Sequence, residues 1–518
     1  MKRRDLLTTG LKGGLGLAGL GTGIIGAPAI VLAEGRRPEA VSGVMSGDVL
    51  TDRAMLWSRA DRPAIMQVDI SKTPDFAQFR RLPPVAVLPE TGLVGKLDAT
   101  GLAGWDHLYY RVRFQSPGDH RALSAPVTGS LPLPPTSARN VRFVWSGDVA
   151  GQGWGIDESR GGMTIFETMR KTRPDFFLHS GDTVYADGPM EERVALEDGS
   201  VWQNVVTPAK QKVAETLEEY RGQHAYNLLD ANVRALYADV PMLAQWDDHE
   251  TVNNWYPGEL LDDDRYREKN VSLLSARARQ AFVEFTPTRL SSSAPDRLYR
   301  RFPYGPGLEV FMLDMRSYRG PNSANVQTSS SPATDFLGKT QFDWLKQALL
   351  DSSATWKIIA ADMPVGLVVA DGDHFEAVAN RYDGAPKGRE LELARLLRFI
   401  RDNAIQNVVW FTADVHYTAA HHYAPERAAF KAFTPFWEFV SGPLHAGTFG
   451  PGELDATFGP KVVFQKAPPD GQKNLPPSRG YQFFGQVDLD GESEALTVTL
   501  KDSAGTALHQ QVLTPTRA

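Results

Sequence analysis

The chain of 518 residues contains no cysteine. Disulfides, thiolate metal ligands and a cysteine nucleophile are therefore excluded. Compartment stays open, because a chain this long can bury a large core without cross-links. An excess of basic charge is also missing. The 55 Lys and Arg are outnumbered by 62 Asp and Glu, giving a net charge of −7. No nucleic-acid-binding surface is expected, since phosphate contacts need basic groups. A small phosphorylated substrate stays open, because bound cations can supply local positive charge. No repeat of solenoid type is present. The length suggests two or more domains, and the 35 Pro and 46 Gly fit a loop-rich enzyme, not a helical bundle.

The most informative stretch is 141–188. An apolar run, VRFVW, meets Ser146-Gly147-Asp148. A helix-like segment follows, and a second apolar run, Phe176 to Leu178, leads into Ser180-Gly181-Asp182-Thr183-Val184-Tyr185. Strand, helix, strand with a right-handed crossover brings both strand ends to one sheet edge. Asp148 and Asp182 should share the crevice there, where open α/β sheets bind ligands. The pattern recurs. Apolar runs end at Asp247-Asp248-His249-Glu250, at Asp314, at Asp362 and at Asp414-Val415-His416. One such Asp is an ordinary helix cap. Six are harder to dismiss. Converging carboxylates repel unless they are protonated or neutralised by cations. Hard cations take oxygen ligands, and the imidazole of His416 admits iron, zinc or manganese. The pattern predicts a metal cluster on a sheet edge.

Residues 1–33 carry Arg3-Arg4, a Gly/Ala/Leu-rich stretch and small residues up to Ala33. They resemble a twin-arginine export signal, with cleavage after Ala33. Export by that machinery to the periplasm or medium, with no stable membrane anchor after cleavage, is the expectation. Residues 35–135 alternate short strand-like runs with turn signals and read as a small antiparallel β-sandwich domain. Leu131-Pro132-Leu133-Pro134-Pro135 reads as a stiff linker, and Asp48 as a turn residue. Residues 140–515 form the large domain. Helical patterns over 206–240 and 265–287, and helix-then-strand segments at 338–362 and 388–416, argue α/β. The late strands, including PFWEFVSGP, read as antiparallel. The polar stretch 321–336 reads as a mobile loop.

The ordered set of Gly147-Asp148, Gly181-Asp182 with Tyr185, Asp247-Asp248-His249-Glu250 and Ala413-Asp414-Val415-His416 resembles the calcineurin-like metallophosphoesterases. It is most similar to their alkaline phosphatase D branch, which includes phosphodiesterases and phospholipases D. The resemblance spans nearly the whole mature chain. It implies a four-layer α/β/β/α sandwich and a centre of two or more metal ions. Asp182 would bridge them. Asp148, Tyr185 and His416 would hold the first metal, with Fe(3+) expected. Asp248 and Asp414 would hold the second, with Ca(2+) expected; Zn(2+), Mn(2+) or Mg(2+) are alternatives. His249 would contact the phosphate or protonate the leaving group. Two features depart from the family. Some members place a Cys near the first strand end, where this chain has Asp148. The usual histidine after a middle strand is replaced by Asp362.

The implied activity is metal-dependent hydrolysis of phosphate mono- or diesters by a metal-bridging hydroxide, as in an alkaline phosphatase or phosphodiesterase. A phospholipase D acting on lipid diesters is one alternative. A non-catalytic exported metal-binding protein is another, and it would be expected to have lost Asp182 or His249. Other residues have plainer readings. Tyr185 alone would read as a core tyrosine, but its spacing from Asp182 favours the site. Arg160 is a candidate phosphate contact through its planar fork, or a solvated loop residue. Asp247 reads as a cap or an arginine partner, and Asp314 as an ion pair with Arg316 or Arg319. Asn253 and Asn254 are candidates to orient the Asp248 loop. His421 and His422 read as surface residues, and His445 as either site or packing.

Overall fold

Short apolar strands buried on both faces build the protein's centre. A computed structural model describes residues 37–517; the expected export signal at 1–33 lies outside them. In the first sheet Val141–Ser146, Phe176–Ser180 and Met242–Gln245 run parallel as neighbours. In a second, seven-stranded sheet Leu308–Met312, Trp356–Ala360 and Val408–Thr412 do the same. Continuous apolar runs suit parallel strands covered on both sides.

The side chains alternate with period two. Phe143, Trp145, Phe176, Leu178 and Leu243 point from the first sheet into one core, which Val310, Met312, Ile358, Ala360 and Phe411 enter from the second. Val144, Phe177, Met242 and Ala244 point the other way, into a core shared with helices. Phe311, Ile359 and Trp410 do likewise from the second sheet. Phe411 is fully buried, edge-on to Trp145 at 4.5 Å between centroids. Truncating it to Ala would cost about 3–5 kcal/mol through lost burial and the cavity left behind.

Helices cover the outer faces, and their sequences explain why. Thr164–Lys171 buries Ile165, Phe166 and Met169 on one side. Leu217–Asn227 starts with a capping box in which Thr216 and Glu219 satisfy each other's backbone amides. Asp230 caps Ala231–Asp239 and also accepts from Met163 N. On the second sheet Glu390–Asp402 buries Leu393, Leu396, Leu397 and Ile400 at helical spacing.

The structure differs from the sequence reading in several places. The strands Ala40–Leu50, Arg53–Ala60 and Val94–Thr100 extend the first sheet, which has nine strands. Ala40–Leu50 joins it beside Met242–Gln245 through Gly47 and Met242. A six-stranded antiparallel sheet centred on Ala64–Ser71 and His107–Ser116 packs nearby. Asp48 is no turn residue. It lies buried in the first of these strands, where Arg300 grips both its oxygens at 2.9 Å. Leu131-Pro132 belongs to a strand, Val127–Pro132. Phe436–Val440 pairs in parallel with Val408–Thr412 and antiparallel with Thr418–Tyr423. His421 is fully buried, because Glu438 on the neighbouring strand accepts from Nδ1 at 3.0 Å.

Candidate metal centre

Six strand ends converge here. Asp148, Asp182 and Asp247-Asp248 follow the three parallel strands of the first sheet; Asp314, Asp362 and Asp414 follow those of the second. The backbone turns sharply at several of them. Asp148, Asp182, Asp414 and His416 have φ of 67°, 49°, 67° and 59°. Left-handed backbone is unfavourable for residues with a Cβ, and such strain concentrates at functional sites. Glycines make room beside them. At Gly442 a Cβ would lie 2.1 Å from Asp148 Oδ2.

One group comprises Asp148, Asp182 and His416, whose ligand atoms lie within 4.8 Å of one another. His416 Nδ1 donates to the Gly447 carbonyl. That leaves the Nε2 lone pair facing the carboxylates, the form in which imidazole ligates. Tyr185 Oη lies 2.7 Å from Nε2. Burial lowers His416 to about 4, so it stays neutral. Burial, then Asp182 and Asp148, push the Tyr185 phenol well above its ordinary range.

A second group is Asp182, Asp248 and His249, and a third is Asp247, Asp248 and Asp414. Asp182 and Asp248 are thus shared. Asp248 Oδ2 accepts from Asn254 N at 2.6 Å. Burial opposes charge on Asp248, but His249 and Arg316 outweigh it and hold the carboxyl at about 2. Glu250 ties two strand ends together. It accepts from Asp247 N at 2.8 Å and from Thr183 N and Oγ1 at 2.6 Å.

His249 differs from His416. Its Nδ1 donates to Asp187 Oδ1 and Oδ2 at 2.8 and 2.9 Å. Burial opposes protonation, but Asp187 and then Asp248 outweigh it and raise His249 to about 10. Its ring stacks on Tyr185 at 4.2 Å. Nε2 lies 4.0 Å from Asp248 Oδ1 and is free to act on a ligand.

Metal ions fit this donor set. Both oxygens of Asp148 and of Asp362, Oδ2 of Asp247 and Oδ1 of Asp248 are buried with no hydrogen-bond partner among the described residues. Burial, reinforced by neighbouring carboxylates, raises Asp148, Asp182 and Asp414 well above the usual range. Orphaned anions at this density call for cations.

Comparisons with known proteins identify the family. A family model described as PhoD-like phosphatase matches residues 143–500. The chain belongs to the PhoD-like phosphatase family. A model for the N-terminal domain of PhoD-like phosphatases matches residues 27–132. Alkaline phosphatase D of Bacillus subtilis (strain 168) is 30% identical over 435 residues, spanning 79% of this chain and 70% of its own. A solved structure of PhoD shares the mixed α/β fold with a TM-score of 0.68 at 22% identity, covering 92% of this chain and 89% of its own. Purple acid phosphatase PPD1 from yellow lupin (Lupinus luteus) seeds gives 0.54 at 11%, covering 93% and 75%.

Of the residues singled out by this family member's sequence, Asp148, Asp182, Tyr185, Asp248, His249, Asp414 and His416 come together. Arg160 does not join them. It is held by Asp157 at 3.2 Å and Ser200 at 3.1 Å, over the Trp202 ring. His445 packs behind the site, its backbone bonded to Asp148 and Ala150 and its Nε2 on the Gly155 carbonyl. Asp314 forms no ion pair with either arginine. It accepts from Arg316 N, Ser317 and Trp246 Nε1, closing the turn after its strand. Asp247 does pair with an arginine, Arg316, at 2.5 Å. Asn253 and Asn254 place their amides on Asp187 and Asp248. Sequence reasoning missed Asp187, Arg316 and Glu376. Asp187 carried a faint signal, two residues past Tyr185; Arg316 stands two residues past the strand-end Asp314 and reads as that residue's partner, and Glu376 lies far from any strand-end motif.

Proposed function

We infer that the protein is a metal-dependent phosphoric ester hydrolase. One observation carries the reading. A neutral histidine with its lone pair on a carboxylate cluster stands beside a protonated histidine, with Asp182 in the metal-ligand group of each. Asp148, Asp182, Tyr185 and His416 would hold one metal ion; Asp182, Asp248 and Asp414 would hold a second. Such ions supply Lewis acidity toward a phosphoryl oxygen and lower the pKa of water.

The chain's own groups do the rest. Asp187 keeps His249 charged and fixes its ring. As the P–O bond to the leaving group breaks, His249 Nε2 passes its proton to the departing oxygen. Asn254 and Glu250 keep Asp248 and the neighbouring strand ends in register. No serine or cysteine nucleophile is required.

The phenol and imidazole of the first half-site support Fe(3+) there, and the all-oxygen second half-site supports Ca(2+). Iron bound to Tyr185 would colour the protein, so a colourless, fully loaded and active enzyme would remove iron. The facing sheets with helices outside support the four-layer α/β/β/α sandwich; the separate family-model matches at 27–132 and 143–500 support a division into 35–135 and 140–515, although three strands of the first part extend the first sheet of the second. Arg3-Arg4 and the stretch to Ala33 support export by the twin-arginine route to the periplasm or medium. Among the described residues no helix is long and apolar enough to cross a membrane.

The deciding assay compares p-nitrophenyl phosphate and bis-p-nitrophenyl phosphate, with Asp182→Asn as control. Hydrolysis abolished in the control supports the reading, and the faster substrate separates phosphatase from phosphodiesterase. Metal-loaded protein inactive on both would overturn it.

A further inference from the structure

The mouth of the centre has two unlike sides. The side chains of Asp414 and His249 each keep 11% of their exposure and that of His416 keeps 5%, so the centre opens to solvent over these three. Beyond His249 the rim is polar, and its groups are engaged with one another. Asn254 Nδ2 donates to one Asp371 oxygen at 3.2 Å, and Asn322 Nδ2 donates to the other at 2.8 Å. Beyond His416 the rim is apolar. Val415 and Phe449 are both partly exposed there. Val415 packs against a small buried cluster that includes Leu367 and Tyr417. Phe449 packs into none of the apolar cores of the described residues, and its ring lies 5.4 Å from the His416 ring between centroids.

A lone exposed phenylalanine is ordinary. This one is held in place by the site itself. Its amide donates to the His416 carbonyl at 3.3 Å, and two residues earlier the Gly447 carbonyl accepts from His416 Nδ1. Asn474 clamps the same loop from the other side. Its amide donates to the Thr448 carbonyl at 2.7 Å, its Oδ1 accepts from Trp154 Nε1 at 3.0 Å, and its Nδ2 donates to the Gln152 carbonyl at 3.2 Å. Gly447 permits this approach, because a Cβ there would overlap Asn474 Oδ1. The loop that orients His416 therefore also fixes an aromatic ring at the mouth that no core uses. A ring already held loses little freedom when a ligand covers it.

We propose that Phe449 is a specificity-determining residue, and that its ring takes the organic group of the phosphate ester. The proposal deepens the hydrolase reading above and rests on it. An ester with a flat or apolar group is favoured over one with a small polar group, since covering the ring removes apolar surface from water and adds a ring contact. That contact is the same in the bound substrate and in the transition state. It lowers KM for aryl esters and leaves kcat unchanged. A ring that only supported His416 would instead change kcat for every ester alike.

The test uses the metal-loaded protein as wild type, Phe449→Ala and Phe449→Leu. Calorimetry measures phenylphosphonate and methylphosphonate, which have no ester bond to hydrolyse. Steady-state kinetics measure p-nitrophenyl phosphate and glycerol phosphate. Wild type should bind phenylphosphonate about three- to tenfold more tightly than methylphosphonate. Phe449→Ala should erase that preference, raise KM for p-nitrophenyl phosphate by the same factor, and leave methylphosphonate affinity and both kcat values as they were. Phe449→Leu keeps apolar packing against His416 and should retain only part of the preference. Equal affinities for the two phosphonates in wild type, or an equal loss on both in Phe449→Ala, overturns the proposal. If Phe449→Ala does not fold, Phe449→Leu decides alone, and an undiminished preference there overturns it. The hydrolase reading fails separately, as a wild type that hydrolyses neither ester.

Discussion

The two halves of the centre are built from the same material and balanced by opposite means. Around Asp148 and Asp182 the partners are neutral: a histidine lowered to about 4 and a phenol held protonated. Around Asp248 they are charged: Arg316, and His249 raised to about 10. Both halves gather buried carboxylates at strand ends. The first leaves them uncompensated, so its counter-charge must be imported. The second carries much of its counter-charge in the chain. The comparison teaches that buried carboxylates gathered in the same way can be balanced either by imported charge or by charge the chain itself supplies.

The harshest way to break the comparison is to remove the residue both halves share. Asp182→Asn should lower phosphate ester hydrolysis by at least about 1,000-fold, since metal Lewis acidity supplies several kcal/mol and each 1.4 kcal/mol is tenfold. Elemental analysis of the same variant should show loss of ions from both halves. Retained activity with one ion missing would mean that the halves work independently.

Exchanging the charged histidine for a neutral group should cost less. His249→Asn should lower kcat by about 10²–10⁴-fold on an alkyl phosphate, the range for a lost general acid. The loss should be smaller on p-nitrophenyl phosphate, whose leaving group needs little protonation. Asp187→Asn separates position from charge. Its partner would fall from about 10 toward the ordinary 6.5, so the alkaline limb of the pH profile should move to lower pH. The same pair bears on stability. Because the folded value lies above the unfolded one, its contribution is complete below 6.5 and disappears as pH rises through about 10. A limb that stays in place in Asp187→Asn would assign it to another group.

Much of this contrast could be read in the chain, and the unread part has one physical origin. An apolar run that stops at Asp is local, so Asp148, Asp182, Asp248 and Asp414 could be placed on a sheet edge from spacing alone. Compensating charge is non-local. Arg316 meets Asp247 and Glu376 across 69 and 60 residues of sequence; Asp247 reads as some arginine's partner, but nothing local says which arginine, or that Glu376 joins them. His421 failed for the same reason, since its burial depends on Glu438 in a neighbouring strand. Asp48 looked like a turn because Ser-Gly-Asp suits one, yet Arg300, far downstream, makes it a buried ion pair. The parallel pairing of Phe436–Val440 likewise depends on which strand it meets, not on its composition.

A gentler test follows the imported charge. Chelated protein should lose stability as pH rises above about 4. The folded state holds protons on Asp148, Asp182 and Asp414 that the unfolded state, with ordinary values near 3.8, has already released. Each such group costs up to about 1.4 kcal/mol per pH unit until its folded value is passed. Metal ions replace those protons, so loaded protein should show a flatter dependence. Denaturant unfolding at several pH values, with and without chelator, checks this. Parallel curves would mean that the carboxylate cluster is compensated without ions.

The smallest effect is expected outside both halves. Arg160 has the right chemistry for a phosphate contact, but its guanidinium is already engaged. Asp157 pairs with it from one side, Ser200 accepts from another, and the ring of Trp202 lies beneath at 5.4 Å. Reaching a substrate would mean giving up the ion pair and the ring together. Arg160→Ala should therefore change kcat/KM by less than about threefold, while lowering stability by about 1 kcal/mol for a half-exposed ion pair and a cation–π contact. A direct charge-assisted phosphate bond would cost more, about 1.5–3 kcal/mol, or roughly 10–100-fold in kcat/KM. The two outcomes do not overlap. A loss on that larger scale with unchanged thermal stability would show that Arg160 leaves Asp157 in the bound state, and that the first half reaches its substrate through a loop the free enzyme holds elsewhere.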